Sequence, residues 1–341
     1  MTSSNRPTFS DVAKLAKLSV ATDSRALSNP DLVAESTRKA VREAAASCGY
    51  KVNLVARSLR MQCTNTLLLL APCVDNPFYP SLVRAIEATA HEQGFSVIIG
   101  FTLKNPDSRS AYGDLISNGR VDGVILIDGG VGIQDLTGLR PPIPTVQALD
   151  QVLAPSVPVV KADDHYVAEL AVRHLAGLGH RRIAHISGAP SALPSVQRQE
   201  GYRDTMAALG QPVEDGYIQC GYYRREPAIE AMDQLLALRN RPTAVFCTND
   251  SMACGAMQVC LDRGLRVPGD MSFVGAGNTS DGEYVRPALT TVNVPRAEIG
   301  RLAALKLMRL IRGQNHVSPE IILPVELLVR GSSSAAYQAA A

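Results

Sequence analysis

From residue 66 onward, short apolar runs alternate with stretches whose hydrophobic residues recur every three or four positions. The runs are TLLLLA, FSVIIGF and GVILI, followed by RIAHISG, GYIQC, TAVFCTN and MSFVGAG. Helical periodicity fills the gaps, at about 80–93, 107–118, 165–178, 195–209, 226–238 and 251–263. So short an apolar run is a strand buried on both faces, and the helix after it covers one face while returning the chain to start a parallel neighbour. That order of elements builds parallel sheets with helices on both sides. Near residue 160 the order breaks at Pro155, Pro158 and the strand-like VVKA, which reads as a crossover between two such subdomains. A chain of 341 residues, 46% hydrophobic, has the material for both cores.

The first 62 residues follow another pattern. Ser10 is placed to cap a helix that carries Val12, Ala13, Leu15 and Ala16 along one face, and Ser19 to cap a second helix reaching about Leu27. So short a connection suits a helix-turn-helix, whose second helix lies in the major groove with its first side chains against base edges. Val20, Ala21 and Arg25 would then face bases, with Ser19, Thr22 and Ser24 in reach of phosphate; Asn29 belongs to the same candidate set. Arginine pairs bidentately with guanine and a small apolar side chain touches the thymine methyl, so Arg25 is the main specificity candidate. Charge agrees. Residues 1–62 carry ten Lys or Arg against five acids, a net of +5, and the rest carries 24 against 27, a net of −3. Cations gathered in the first fifth of a nearly neutral chain fit a phosphate-facing headpiece.

With the motifs DVAKLA, SVAT, SRAL, GYKVN, ARSLR, RVDGVIL, LAGLGHRRIAHISG, PTAVFCTNDSMACGAM, GLRVPGDMSFVG, PALTTVNVPR and LLVRG in order, the chain resembles the lactose-repressor and galactose-repressor (LacI/GalR) family of bacterial transcription regulators. The resemblance runs from about residue 8 to residue 331. It implies an all-α helix-turn-helix headpiece at 1–52, a hinge helix at 53–62, and at 63–331 a two-lobed α/β domain like the periplasmic binding proteins, each lobe a parallel sheet. Residues 332–341, ending SSSAAYQAAA, are expected to be a flexible tail without the leucine heptads of a tetramerising helix. A third headpiece helix is matched at about 35–48, with Ala40, Val41, Ala44 and Cys48 on one face and Gly49 at its end. In the hinge, Leu59 matches the wedge that unstacks a base step from the minor groove, Ala56 the close approach of two hinge helices, and Arg57 and Arg60 the backbone or groove contacts. Three positions depart from the family pattern. Lys17 stands where Gly is usual, Asp23 where an apolar residue is usual, and Val52 where Pro is common.

Ligands of such sheets bind beyond the carboxyl ends of strands. The resemblance makes Arg198 an effector contact, Asn249 a polar contact, and Asp250 the residue that orients the loop of Asn249; Phe78, Asp150, Lys161, Tyr222 and Asn278 complete the candidate set. Where sugar-binding relatives have VGxDD, this chain has VGAGN, so Gly277 and Asn278 replace carboxylates, and Lys161 adds a cation at the crossover strand. Losing negative and gaining positive charge beside Arg198 points to an anionic effector, since charge-assisted bonds to carboxylate or phosphate are the stronger ones. A sugar acid such as gluconate or a keto-gluconate is the first expectation; a sugar phosphate or a neutral sugar is the alternative.

The expected partners are therefore double-stranded operator DNA, a small carbohydrate-type effector that acts as inducer, and a second copy of the chain. A sugar-acid enzyme or a transport protein is disfavoured. The six His form no HExxH or paired-ligand spacing, no GxGxxG or phosphate loop is present, and no cofactor or metal is expected. Seven Cys, an odd number without CxxC or CxxH spacing, read as buried thiols. The start MTSSNRPTFSD lacks an apolar signal core and the run LLLLA ends at Pro72, so the expected setting is the bacterial cytoplasm, at the nucleoid, without membrane attachment.

Overall fold

The computed structural model describes residues 7–19, 22, 33–50, 63–73, 75–102, 107–127, 143–150, 157–314 and 318–336. Val20, Ala21, Asp23, Ser24, Arg25, Asn29 and Val52, and the hinge with Ala56, Arg57, Leu59 and Arg60, lie outside the described residues. The chain divides into two compact units, Met1–Thr64 and Asn65–Ala341.

In the first unit, α1 (Phe9–Ala16) is capped by Thr8, whose backbone N–H and hydroxyl both donate to the Asp11 carboxylate, at 2.8 and 2.7 Å. The cap expected at Ser10 is thus moved to Thr8, because an acid three residues on completes a reciprocal box with it. Those two bonds hold the Asp11 carboxyl below the usual carboxylate range. Lys17 ends the helix in the left-handed region at φ 54° and ψ 40°, the conformation in which a Cβ is strained. Two residues on, Ser19 Oγ accepts the Thr22 N–H at 3.2 Å, the contact expected of a helix cap. The next described helix, α2 (Glu35–Cys48), stops at Gly49, where φ is 69°. Val12, Val41, Ala44 and Ala45 form the buried centre of this unit. Leu15 is not part of it: the stripe on so short a helix is narrow, and Leu15 falls outside it, 56% exposed.

The second unit contains two six-stranded sheets. Its first half supplies β1 (Thr66–Ala71), α3 (Tyr79–Glu92), β2 (Ser96–Phe101), α4 (Asp107–Ser117), β3 (Gly123–Leu126), β4 (Thr145–Ala148) and β5 (Val159–Ala162). The chain then builds α5 (Asp164–Gly177), β6 (Ile183–Ser187), α6 (Leu193–Ala208), β7 (Ile218–Cys220), α7 (Arg225–Ala237), β8 (Ala244–Cys247), α8 (Asp250–Asp262), β9 (Ser272–Ala276), α9 (Ser280–Tyr284) and β10 (Thr290–Asn293). It ends with α10 (Arg296–Ile311), β11 (Glu320–Leu323) and β12 (Glu326–Leu328). The strand orders are β11-β5-β4-β3-β1-β2 and β12-β10-β9-β8-β6-β7. Every pairing is parallel except β10 with β12, so the second sheet carries one antiparallel edge where an all-parallel sheet was expected.

The four leucines of β1 are buried between β2 and β3, which explains the continuous apolar run: a central parallel strand has no solvent face. From the second sheet, α10 returns to the first lobe. It packs so closely on α3 that a Cβ on Gly300 would lie 2.5 Å from the Leu82 carbonyl oxygen. The chain crosses between lobes three times, after β5, after β10 and between β11 and β12.

The flexible tail expected at 332–341 is corrected for its first five residues. Ser332 is fully buried; its hydroxyl accepts the Thr290 N–H at 2.8 Å and donates to the Phe273 carbonyl at 2.7 Å. Ser333 meets His174 Nε2 at 2.9 Å, and His180 Nε2 donates to the Ser334 carbonyl at 3.0 Å, leaving its Nδ1 to accept from the Thr243 hydroxyl at 2.9 Å. The Ala336 N–H closes the strap on the Leu178 carbonyl at 2.8 Å. Serine reads as linker in composition, yet here the Ser332 and Ser333 hydroxyls and the Ser334 carbonyl satisfy polar groups of the second lobe. Residues 337–341 lie outside the described residues.

Candidate functional site

The loops after the strands of both sheets carry the effector candidates. Arg198, on α6, is only 5% exposed. Its Nε donates to Asp164 Oδ1 at 2.8 Å, Nη2 lies 2.6 Å from the same oxygen, and Nη1 donates to the Thr248 carbonyl. Burial pushes the Asp164 carboxyl up, while the Arg198 charge and hydrogen bond pull it back down. Burial works against the charge on the arginine, and Asp164 outweighs it, with Tyr223 and Asp150 adding to the field around it. Asp150 is itself buried after β4. A buried ion pair of this kind is fixed in one geometry, because neither partner can leave without stranding the other.

Lys161, on β5, does not stand free beside Arg198 as the sequence suggested. Its Nζ is 2.8 Å from Glu320 Oε1, across the pairing of β5 with the edge strand β11. The expected surplus of positive charge is therefore matched: Lys161 by Glu320, Arg198 by Asp164, with Asp150 adding a further negative charge to the field at Arg198.

Tyr222 is 55% exposed and held at φ 52°; the neighbouring Tyr223, at φ 59°, lies against Gly188 and is the tyrosine that acts on Arg198. A Cβ at Gly188 would collide with that ring at 2.3 Å, so the glycine makes room for it. Sequence reasoning named Tyr222 and missed Tyr223, the tyrosine that acts on Arg198. The one available signal was Gly188 at the end of the run RIAHISG, a position open to a ring.

Asn249 caps α8: its Oδ1 accepts the Met252 N–H at 2.9 Å, and its Nδ2 donates to the Tyr223 carbonyl at 3.2 Å. Both ends of its amide thus serve to position the loop that holds Tyr223. Asp250, fully buried, accepts from the Thr279 N–H at 2.6 Å, the Thr279 hydroxyl at 3.2 Å and the Thr291 hydroxyl at 2.6 Å. Burial raises its carboxyl and these bonds lower it again. Its effect is to orient the loop 277–279 next door, rather than the Asn249 loop alone.

In that loop Gly277 has φ +124°, and a Cβ there would sit 3.1 Å from the Phe78 ring. A carboxylate-bearing residue of the VGxDD pattern at this position would be strained in its backbone and would press on that ring. Asn278, at φ 50°, accepts at Oδ1 from Arg330 Nη2 at 2.7 Å and donates from Nδ2 to Asn293 Oδ1 at 3.2 Å. Phe78 comes from the first lobe, at the start of α3, with its N–H donated to Asn76 Oδ1 at 3.0 Å.

His185 is buried between the rings of Tyr202 and Phe246, at 5.2 and 4.9 Å, with Nδ1 3.0 Å from the Phe246 carbonyl. Desolvation drops its pKa to about 3, so it is a neutral packing residue at ordinary pH. Among the described residues no group of three or more His, Cys, Asp or Glu is placed to hold a metal ion, and no helix is long and apolar enough to cross a membrane.

The headpiece matches the model of bacterial regulatory proteins, lacI family, over residues 8–53, and residues 172–333 match that of the periplasmic binding protein-like domain. The chain is 36% identical over 333 residues to the HTH-type transcriptional repressor CytR of Escherichia coli strain K12, covering 96% of each. Among solved structures it is similar to the lac repressor dimer bound to operator and the anti-inducer ONPF (TM-score 0.84, 26% identity, 97% of this chain and 100% of that one). It is also similar to the complex of the transcriptional regulator CelR with cellobiose (TM-score 0.74, 29% identity, 96% of this chain and 100% of that one).

Proposed function

Because the chain belongs to the lacI family of bacterial regulatory proteins, we propose that it represses transcription from an operator as a homodimer and is released when a small sugar-type effector lodges at the strand ends of its second unit. It is a transcription regulator and not an enzyme. On the DNA side, Val20, Ala21 and Arg25 read base edges, Ser19, Thr22 and Ser24 hold phosphates, and Asn29 serves in the same helix. In the hinge, Leu59 wedges the minor groove, Ala56 permits close approach of the paired hinge helices, and Arg57 and Arg60 contact backbone or groove. The Ser19–Thr22 contact is the one a helix cap at Ser19 would make, and the charge of the first 62 residues favours a phosphate surface. Exposed Ile98, Ile99 and Phe101 on the edge strand β2 are apolar surface that a second copy would cover.

On the effector side, the observation that carries the reading is the buried Arg198 with its Asp164 partner at the strand ends, flanked by Tyr223 and Asp150. Phe78, Lys161, Tyr222, Asn249, Asp250 and Asn278 complete the rim. A sugar acid of the gluconate or keto-gluconate class is read by Arg198 and Lys161, and must share them with Asp164 and Glu320. That pairing favours the second reading, a neutral sugar, whose hydroxyls join the existing charged network without exchanging a carboxylate.

An effector that prefers one arrangement of the lobes changes operator affinity, and operator DNA must change effector affinity by the same factor. A thermal-shift screen of neutral sugars, sugar acids and sugar phosphates, followed by fluorescence anisotropy on operator duplex with and without the best hit, tests the whole reading. Weaker operator binding with the hit is the expected result. Unchanged binding under every compound that raises the melting temperature defeats it. Tighter binding of gluconate than of its parent neutral sugar decides for the sugar acid.

A further inference from the structure

The first residue of α10, directly after a crossing between lobes, is Arg296. A cation in the first helical turn faces the positive end of the helix dipole, so helix electrostatics do not favour it there. Its guanidinium is occupied by carbonyls instead. Nη1 donates to Pro77 O at 3.2 Å and Phe78 O at 3.0 Å, and Nη2 donates to Asn278 O at 2.7 Å. Pro77 and Phe78 belong to the rim of the first lobe, between β1 and α3; Asn278 belongs to the rim of the second, after β9. The same guanidinium lies over the Phe78 ring, 5.3 Å from its centroid. That ring in turn packs on Gly277.

Each loop is also anchored in its own lobe. Asn76 holds the Phe78 N–H, while Asp250 and Arg330 hold Thr279 and Asn278. One side chain therefore joins two separately braced rims. We propose that Arg296 is a positioning residue, an interlobe clasp that makes the loops at 76–78 and 277–279 a single mechanical unit. Displacement of either rim is then passed to the other. That an effector is what displaces them rests on the function proposed above; the clasp itself does not.

The chemistry needs a fork. A guanidinium presents donors in several fixed directions, whereas an ammonium is a point and cannot bridge carbonyls on two loops while keeping its face on the ring. Hydrogen-exchange mass spectrometry of the full chain, without any effector, tests this on peptides spanning 75–82 and 275–284, with β6 as internal reference. Losing two to three such bonds speeds local exchange by about tenfold where opening is local. Arg296→Gln is expected to accelerate both rim peptides and to leave β6 unchanged. Arg296→Lys restores at most one of them, and Phe78→Ala accelerates the 275–284 peptide on the opposite lobe. Ala297→Ser, on the exposed neighbour, behaves as the natural chain. Acceleration limited to one rim, equal acceleration at β6, or full restoration by lysine overturns the clasp.

Discussion

Lys306 is a buried cation. It sits on α10 with Ala303, Leu307 and Met308, 3% exposed, and among the described residues its Nζ has no hydrogen-bond partner. A buried donor left unsatisfied costs about 1–3 kcal/mol. Methionine has similar length and flexibility without the charge, so Lys306→Met keeps the packing and removes that cost. For a unit of this size each kcal/mol moves the melting temperature by about 2–4 °C, so the variant is expected to gain about 2–12 °C in scanning calorimetry at neutral pH.

The pH dependence gives a second reading of the same cause. Burial lowers the Lys306 pKa from its ordinary 10.5. Between the lowered value and 10.5 the unfolded chain holds a proton that the folded chain has released, so the natural protein gains stability as pH rises through that window. Below the window the penalty is complete. The advantage of methionine is thus largest near neutrality and shrinks toward about pH 10. Lys306→Gln, which buries another unsatisfied donor, should not reproduce the gain. A methionine variant melting at or below the natural chain, or a gain equal at neutral and alkaline pH, would refute the reasoning.

Lys17→Gly should slow amide exchange over α1 by about threefold, since glycine relieves a left-handed lysine costing about 1–2 kcal/mol while adding about 0.5–1 kcal/mol of unfolded-chain entropy. Arg198→Met strands the Asp164 carboxylate and should cost about 3–5 kcal/mol in urea unfolding; Asp164→Asn in that background should recover over half, and simple additivity of the two losses would count against a coupled pair. Gly300→Val forces its side chain into the Leu82 carbonyl and should lower stability by about 1–3 kcal/mol in the same assay, with an unchanged midpoint as the contrary result.

What the sequence disclosed was local. The span of α2, its glycine stop, the left-handed Lys17 and the alternation that becomes two sheets all depend on residues a few positions apart. The Thr8 cap was legible in principle too, from the acid at Asp11, but Ser10 offered the same hydroxyl chemistry two residues later. Pairings across long stretches of chain were not legible. Lys161 with Glu320, the serines of 332–334 with His174, His180 and Phe273, and Tyr223 with Gly188 each join elements that periodicity treats separately. The surplus of positive charge read from the sequence is matched for that reason: a charge is paired or unpaired only once β11 lies beside β5.

The strap at 332–336 has a practical bearing on reporter fusions and truncations. A protein fused straight after Gly331 would delete the groups that satisfy His180, the Thr290 N–H and the Leu178 carbonyl, and so would loosen the floor of the second lobe while leaving every rim residue in place. One attached beyond residue 336 spares all of those partners. Two fusions differing by only five residues at the junction should therefore differ in solubility and yield.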